Sequence, residues 1–87
     1  MTTPSDLADV YGDHRRALAL LLHAVRDDTE GARAVCVEAA DVDRWAQLCY
    51  SLATVTMTVV PVLSTPDGQA WLAASVAACS RIENGTR

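Results

Sequence analysis

The chain has 87 residues, of which 51% are apolar and 21% charged, with a formal charge of −4 and no Lys or Phe. One compact domain is the default at this length, and folding buries roughly 60–65% of the extended chain's surface, enough for a modest core. The apolar content excludes an intrinsically disordered chain, and a net acidic balance lacks the basic stripe from which nucleic-acid binding draws most of its affinity.

Thr3-Pro4-Ser5-Asp6 opens a first helix predicted over 4–26. Thr3 or Ser5 can cap free N–H groups, Pro4 suits the first turn, and Asp6 and Asp9 favour the positive end of the helix dipole. Leu7, Tyr11, Leu18, Leu21, Leu22 and Val25, with His14 in the gap, follow helical spacing and are expected to pack, leaving Asp9, Asp13, Arg16, His23 and Asp27 solvated. Gly12 costs about 1 kcal/mol relative to Ala inside a helix and marks either a close helix approach or a weak point. Asp27-Asp28-Thr29 ends this helix and caps a second over 29–40, with a short stripe of Ala32, Val35, Cys36, Ala39 and Ala40.

Asp41-Val42-Asp43 reads as a joint, with Asp41 capping a third helix over 42–60, against the alternative of one unbroken repeat through Val35, Val42, Trp45, Cys49, Leu52, Val59 and Leu63. Residues 54–59 alternate Thr with Val or Met as a strand would. Trp45, Leu48, Leu52, Val55, Val59 and Val62 nevertheless form a heptad seam, and a lone strand would leave its backbone groups unpaired, so helix is the prediction. Pro61 kinks or ends it. Ser64-Thr65-Pro66-Asp67-Gly68 supplies a turn, a cap and a start for a last helix over 66–82, which presents Trp71 or Leu72, Ser75, Val76, Cys79 and Ile82 and closes at Asn84-Gly85. The expected fold class is all-α: a single domain over 1–87, a small bundle of three to four helices completed by homodimerisation.

Composition and charge placement sharpen this. Phe, Tyr, Met, Ile, Asn and Lys, the types with AT-rich codons, total six residues against 15 Ala, which reads as the imprint of a high-GC genome, an actinobacterium or its phage. Residues 1–44 carry nine acids and five Arg, whereas between Trp45 and Ser80 the one charged residue is Asp67. So long an uncharged run belongs in a core, an oligomer interface or lipid. The 22 residues from Trp45 to Pro66 are long enough to cross a bilayer. Gln47, Ser51, Thr54, Thr56, Thr58 and Pro61 offset the Leu and Val contributions, and burial in a helical bundle is the simpler account. The small residues there leave little bulk for one chain to fill its own interior, so the second half is expected to form a homodimeric, four-helix-like interface while the charged first half faces water.

Cys36, Cys49 and Cys79 are odd in number and widely spaced, with no secretory signal before them, and read as buried small hydrophobes in a reducing cytoplasm. His23 and Asp27 at i, i+4 are two ligands on one exposed helix, ordinary decoration rather than a metal site. His14 reads as a hydrogen-bonded core or interface residue. Asn84-Gly85-Thr86 matches a glycosylation sequon but reads as a frayed helix end. No nucleophile motif or phosphate loop is present, so no catalytic residue, metal or cofactor is expected. Arg15, Arg16, Arg26 and Arg33 suggest a helix-turn-helix reader, yet Asp13, Asp27, Asp28 and Glu30 interleave with them and would repel phosphate.

The functional expectation is a non-enzymatic interaction or regulatory accessory protein, cytoplasmic and acting through protein contacts, with a homodimer and a second protein as partners. Its predicted contact residues are Tyr11, Arg15, Arg16, Trp45, Leu48, Leu52, Val55, Val59, Trp71, Leu72 and Val76, and its predicted structural residues are Leu7, Leu18, Leu21, Trp45, Leu48, Leu52, Leu72 and Val76. A small DNA-associated regulator and a membrane-associated protein are the alternatives.

Overall fold

The Thr3 hydroxyl accepts from the Asp6 N–H while the Asp6 carboxylate accepts from the Thr3 N–H, a reciprocal capping box that starts helix α1, Pro4–Val25. The structure, a computed structural model, describes residues 3–86. Three further α-helices follow: α2 Thr29–Asp41, α3 Trp45–Val59 and α4 Pro66–Gly85, with a 3-10 turn at Pro61–Ser64 and no strand among the described residues. The architecture is all-helical, and none of these helices is long and apolar enough to cross a membrane.

The first two helices end in the same way. The Asp27 N–H donates to the Ala24 carbonyl and the Asp28 N–H to that of His23; one helix later the Asp43 N–H donates to Ala40 and the Arg44 N–H to Ala39. Each pair of bonds is a Schellman closure, which needs a left-handed residue just past the cap. Asp27 (φ 55°) and Asp43 (φ 56°) fill that place, where glycine is usual. The second closure moves the start of the third helix from Val42 to Trp45, because Val42 and Asp43 are spent on ending α2, whose last residue is Asp41 itself. Asp27→Gly and Asp43→Gly should each raise stability by about 0.5–1 kcal/mol, the cost of a left-handed Asp less the extra chain entropy of glycine. A higher urea midpoint at unchanged slope is the expected reading.

The Thr-rich stretch of α3 is helical, and its hydroxyls are satisfied within the helix: the Thr54 Oγ1 donates to the Tyr50 carbonyl at 3.0 Å and the Thr56 Oγ1 to Leu52 at 2.7 Å. Val60 (φ −119°, ψ 75°), held out of the α region by the following Pro61, stops the helix. The Thr65 Oγ1 then accepts from the Gly68 N–H and donates to the Val62 carbonyl, capping α4. This helix runs three residues past the expected 82, since Gly85 keeps a negative φ and the final bonds come from the Thr86 N–H.

The chain divides within α3 into two compact units, Met1–Thr56 and Met57–Arg87. In the first, Ala17 of α1 and Ala39 of α2 meet Leu48 and Val55 of α3, with Leu20, Leu21 and Leu52 packed around them. Methyl groups from α1 and α2 thus form the floor on which the bulky residues of α3 sit. In the second unit the 3-10 turn packs against the start of α4, and Gly68 is its one buried residue among those described. A Cβ at Gly68 would collide with the Val62 carbonyl. Gly68→Ala should therefore cost about 1–3 kcal/mol as the turn is forced open, read as lost far-ultraviolet helicity.

Candidate functional site

Five charged residues of the first unit, Asp13, Arg15, Arg16, Glu38 and Arg44, gather between α1, α2 and the joint before α3. Asp13, Arg16 and Ala17 lie on the buried face of α1, and Glu38 projects from α2. The Schellman closure turns Arg44 back toward α1. There the Arg44 Nε donates to Asp13 Oδ1 at 3.1 Å and its Nη2 to Oδ2 at 2.5 Å, a two-pronged pair. Arg16 donates through Nη2 to Asp13 Oδ1 at 3.2 Å and through Nη1 to Glu38 Oε1 at 3.1 Å, and Arg15 also donates to Glu38 Oε1. Three cations and two anions form one continuous chain, leaving the buried Arg16 Nε without a partner among the described residues.

The electrostatics follow from these contacts. Asp13 is held below the ordinary carboxylate value, first by the hydrogen bonds from Arg44 and then by Arg16, against its burial. Glu38 is lowered by Arg15 and then Arg16, and Arg44 is raised by Asp13. Gly12 belongs to the same arrangement: a Cβ there would stand 3.1 Å from Arg16 Nη2, so its side of α1 makes room for a guanidinium rather than for another helix.

This network corrects the expected orientation of α1. Asp13 and Arg16 were expected in solvent and are 5% and 6% exposed, while the stripe expected to pack, Leu7, Tyr11, Leu18, Leu22 and Val25, is exposed, with Leu21 alone half-buried. Ion pairing fixes which face turns inward, because a buried charge must keep its partners whereas an exposed Leu costs little. Arg16 is thus an interior residue and not a surface anchor; Arg15 and Tyr11 are exposed. Leu48 and Val55, expected at an intermolecular contact, are core residues of their own chain, and Leu52 is half-buried beside them. Trp45 and Val59, of the same seam and at the two ends of α3, are exposed.

In the second unit Trp71, Leu72 and Val76 are 64%, 40% and 66% exposed. Cys49 and Cys79 are exposed and Cys36 is half-buried, so the expectation of three buried thiols does not hold. His14 is exposed as well. His23 pairs with Asp28, Nδ1 to Oδ2 at 2.9 Å, and not with Asp27, because Asp28 is the cap of α2 and also accepts from the Gly31 N–H. Asp28 is lowered chiefly by that backbone bond. No group of three or more His, Cys, Asp or Glu that could hold a metal occurs among the described residues. A shallow, mainly apolar depression along α2 is lined by Ala34, Val37 and Val42 together with Glu30, Arg33, Glu38 and Asp41, and Glu38 is already held by Arg15 and Arg16.

The ionic network escapes a periodicity reading, which scores Asp13 and Arg16 as solvent-facing. The readable signal is the spacing Gly12-Asp13-x-x-Arg16, a small residue beside an i, i+3 ion pair. No protein-family model, curated protein or solved structure matches the chain.

Proposed function

We propose that the chain is a non-enzymatic helical interaction module, a regulatory accessory of a high-GC bacterium or its phage, acting in the cytoplasm through protein contacts and self-associating as a homodimer. The observation that carries this reading is the second unit: α4 has 20 residues, and its large side chains Trp71, Leu72, Val76 and Ile82 all stand in solvent. A 31-residue segment in which Gly68 is the one buried residue among those described gains its stability from what covers it. The exposed stripe of α1 from Leu7 to Val25 adds a second apolar face, with Tyr11 and Arg15 on it or at its edge as anchors for a partner protein.

The ionic network supports protein over nucleic acid as the partner, since Arg15, Arg16 and Arg44 already have carboxylates in hand. Sedimentation of the full chain at micromolar concentration tests the reading. A dimer is expected, and Trp71→Glu should shift it toward monomer with helicity retained. A well-folded wild-type monomer would sink the proposal.

A further inference from the structure

Asp67, Ala74 and Arg81 lie at intervals of seven residues along α4, and therefore on one line of the helix, with Ala70, Ala77 and Ala78 between them and Trp71 at the edge. Glu83, two positions beyond Arg81, is about 200° round the helix and outside this face. Asp67 and Arg81 are exposed, and neither has an ion-pair partner among the described residues. The line thus has an anion at one end, a cation at the other and only methyl groups between.

We propose that this face of α4 pairs with the same face of a second copy, antiparallel, about a two-fold axis passing beside Ala74. This rests on the self-association reading above and names its surface and register. Charge complementarity selects the occupant and the direction. Residues 67 and 81 are equidistant from 74, so a two-fold axis there brings each Asp67 beside the Arg81 of the other copy. A parallel pair would instead set Asp67 on Asp67 and Arg81 on Arg81. The same axis sets Ala70 against Ala78 and lays Trp71, on the same edge of the helix as Ala78, over the Ala78 methyl group of the other copy. It also opposes the two helix dipoles. Such an interface is isologous, one patch meeting itself. The rim ion pairs fix direction and register, and burial of Trp71 and its neighbours supplies the affinity.

Cross-linking of the full chain reads the register directly. In a Cys36→Ala, Cys49→Ser, Cys79→Ser background shown to fold by circular dichroism, Ala70→Cys, Ala74→Cys and Ala78→Cys are introduced singly and oxidised. Two antiparallel helices centred on Ala74 place the residue-74 thiols face to face, but offset the two residue-70 thiols by about 12 Å along the axis, beyond the roughly 7 Å Cα reach of a disulfide. Ala74→Cys is expected to form covalent dimer roughly tenfold faster than either neighbour alone, and Ala70→Cys mixed with Ala78→Cys to link at a comparable rate. Arg81→Asp should weaken dimerisation roughly tenfold at low salt, and adding Asp67→Arg should restore it.

Equal self-linking at all three positions would overturn the antiparallel pairing. A wild-type dimer in which none of the three links would place the interface on another face, overturning this inference while leaving self-association intact. A wild-type monomer would remove both.

Discussion

Asp13→Asn should destabilise the first unit by about 3 kcal/mol, because it removes the one carboxylate that two guanidinium groups share inside the fold. The amide keeps the shape of the side chain but takes from Arg44 its hydrogen-bonded counter-charge and leaves Arg16, with its side chain 8% exposed, with Glu38 alone. Urea unfolding followed by circular dichroism measures the loss, and a midpoint equal to wild type would refute it. Replacing both Asp13 and Arg16 by apolar residues of similar size should recover part of the stability, since no unpaired buried charge then remains except where Arg44 can turn to water.

The same carboxylate gives the protein an acid limit. Its folded value lies below the ordinary 3.8 because of Arg44 and Arg16, so the unfolded chain takes up the proton first as pH falls. The stabilisation is complete above the ordinary value and is lost as pH drops through the folded one. Wild type should hold its stability from neutral pH down to about pH 5 and lose it below about pH 4, with a shallower loss in Asp13→Asn. The remaining slope belongs to Glu38, Asp28 and Asp6, each also lowered by its partners.

Leu48→Ala should cost about 3 kcal/mol, through lost burial and the cavity left behind. Leu48 is the one large side chain in the core that is almost fully buried. Ala17 and Ala39, against which it packs, have no bulk with which to refill the space. Domains of this length have a total stability of only about 5–10 kcal/mol, so a drop in melting temperature of more than about 10 °C is expected. A change of a degree or two would mean that the helices close over the gap. Leu72→Ala, on a side chain 40% exposed, should have a far smaller effect on thermal stability when measured where the protein is monomeric.

The helices themselves were legible because their signals are local. Thr3, Pro4 and Asp6, the Asp28 cap, Pro61 and the Thr65-Pro66 pair each act within four residues, and the observed ends fall within three residues of those expected. The face that α1 turns inward was not legible. Apolar periodicity finds a stripe, but Asp13 meets Arg44 across 31 positions and Arg16 meets Glu38 across 22, separations at which no spacing rule operates. The seam of α3 was read as a row, and within it Leu48 and Val55 are core residues of the first unit while Trp45 and Val59 are exposed. Nothing in Leu48 or Val55 tells whether alanines from the same chain or side chains from another will cover them.

Arg44 grips both oxygens of Asp13 through two different nitrogens, a geometry that only a guanidinium offers. The lack of Lys, which composition alone assigns to codon bias, is therefore two separate matters. At an exposed position such as Arg33 or Arg81, drift to Lys would keep the charge and alter little. At Arg16 and Arg44 the same exchange would break a fork inside the protein, so a relative living with AT-rich codons should regain Lys on its surface while these two positions stay Arg.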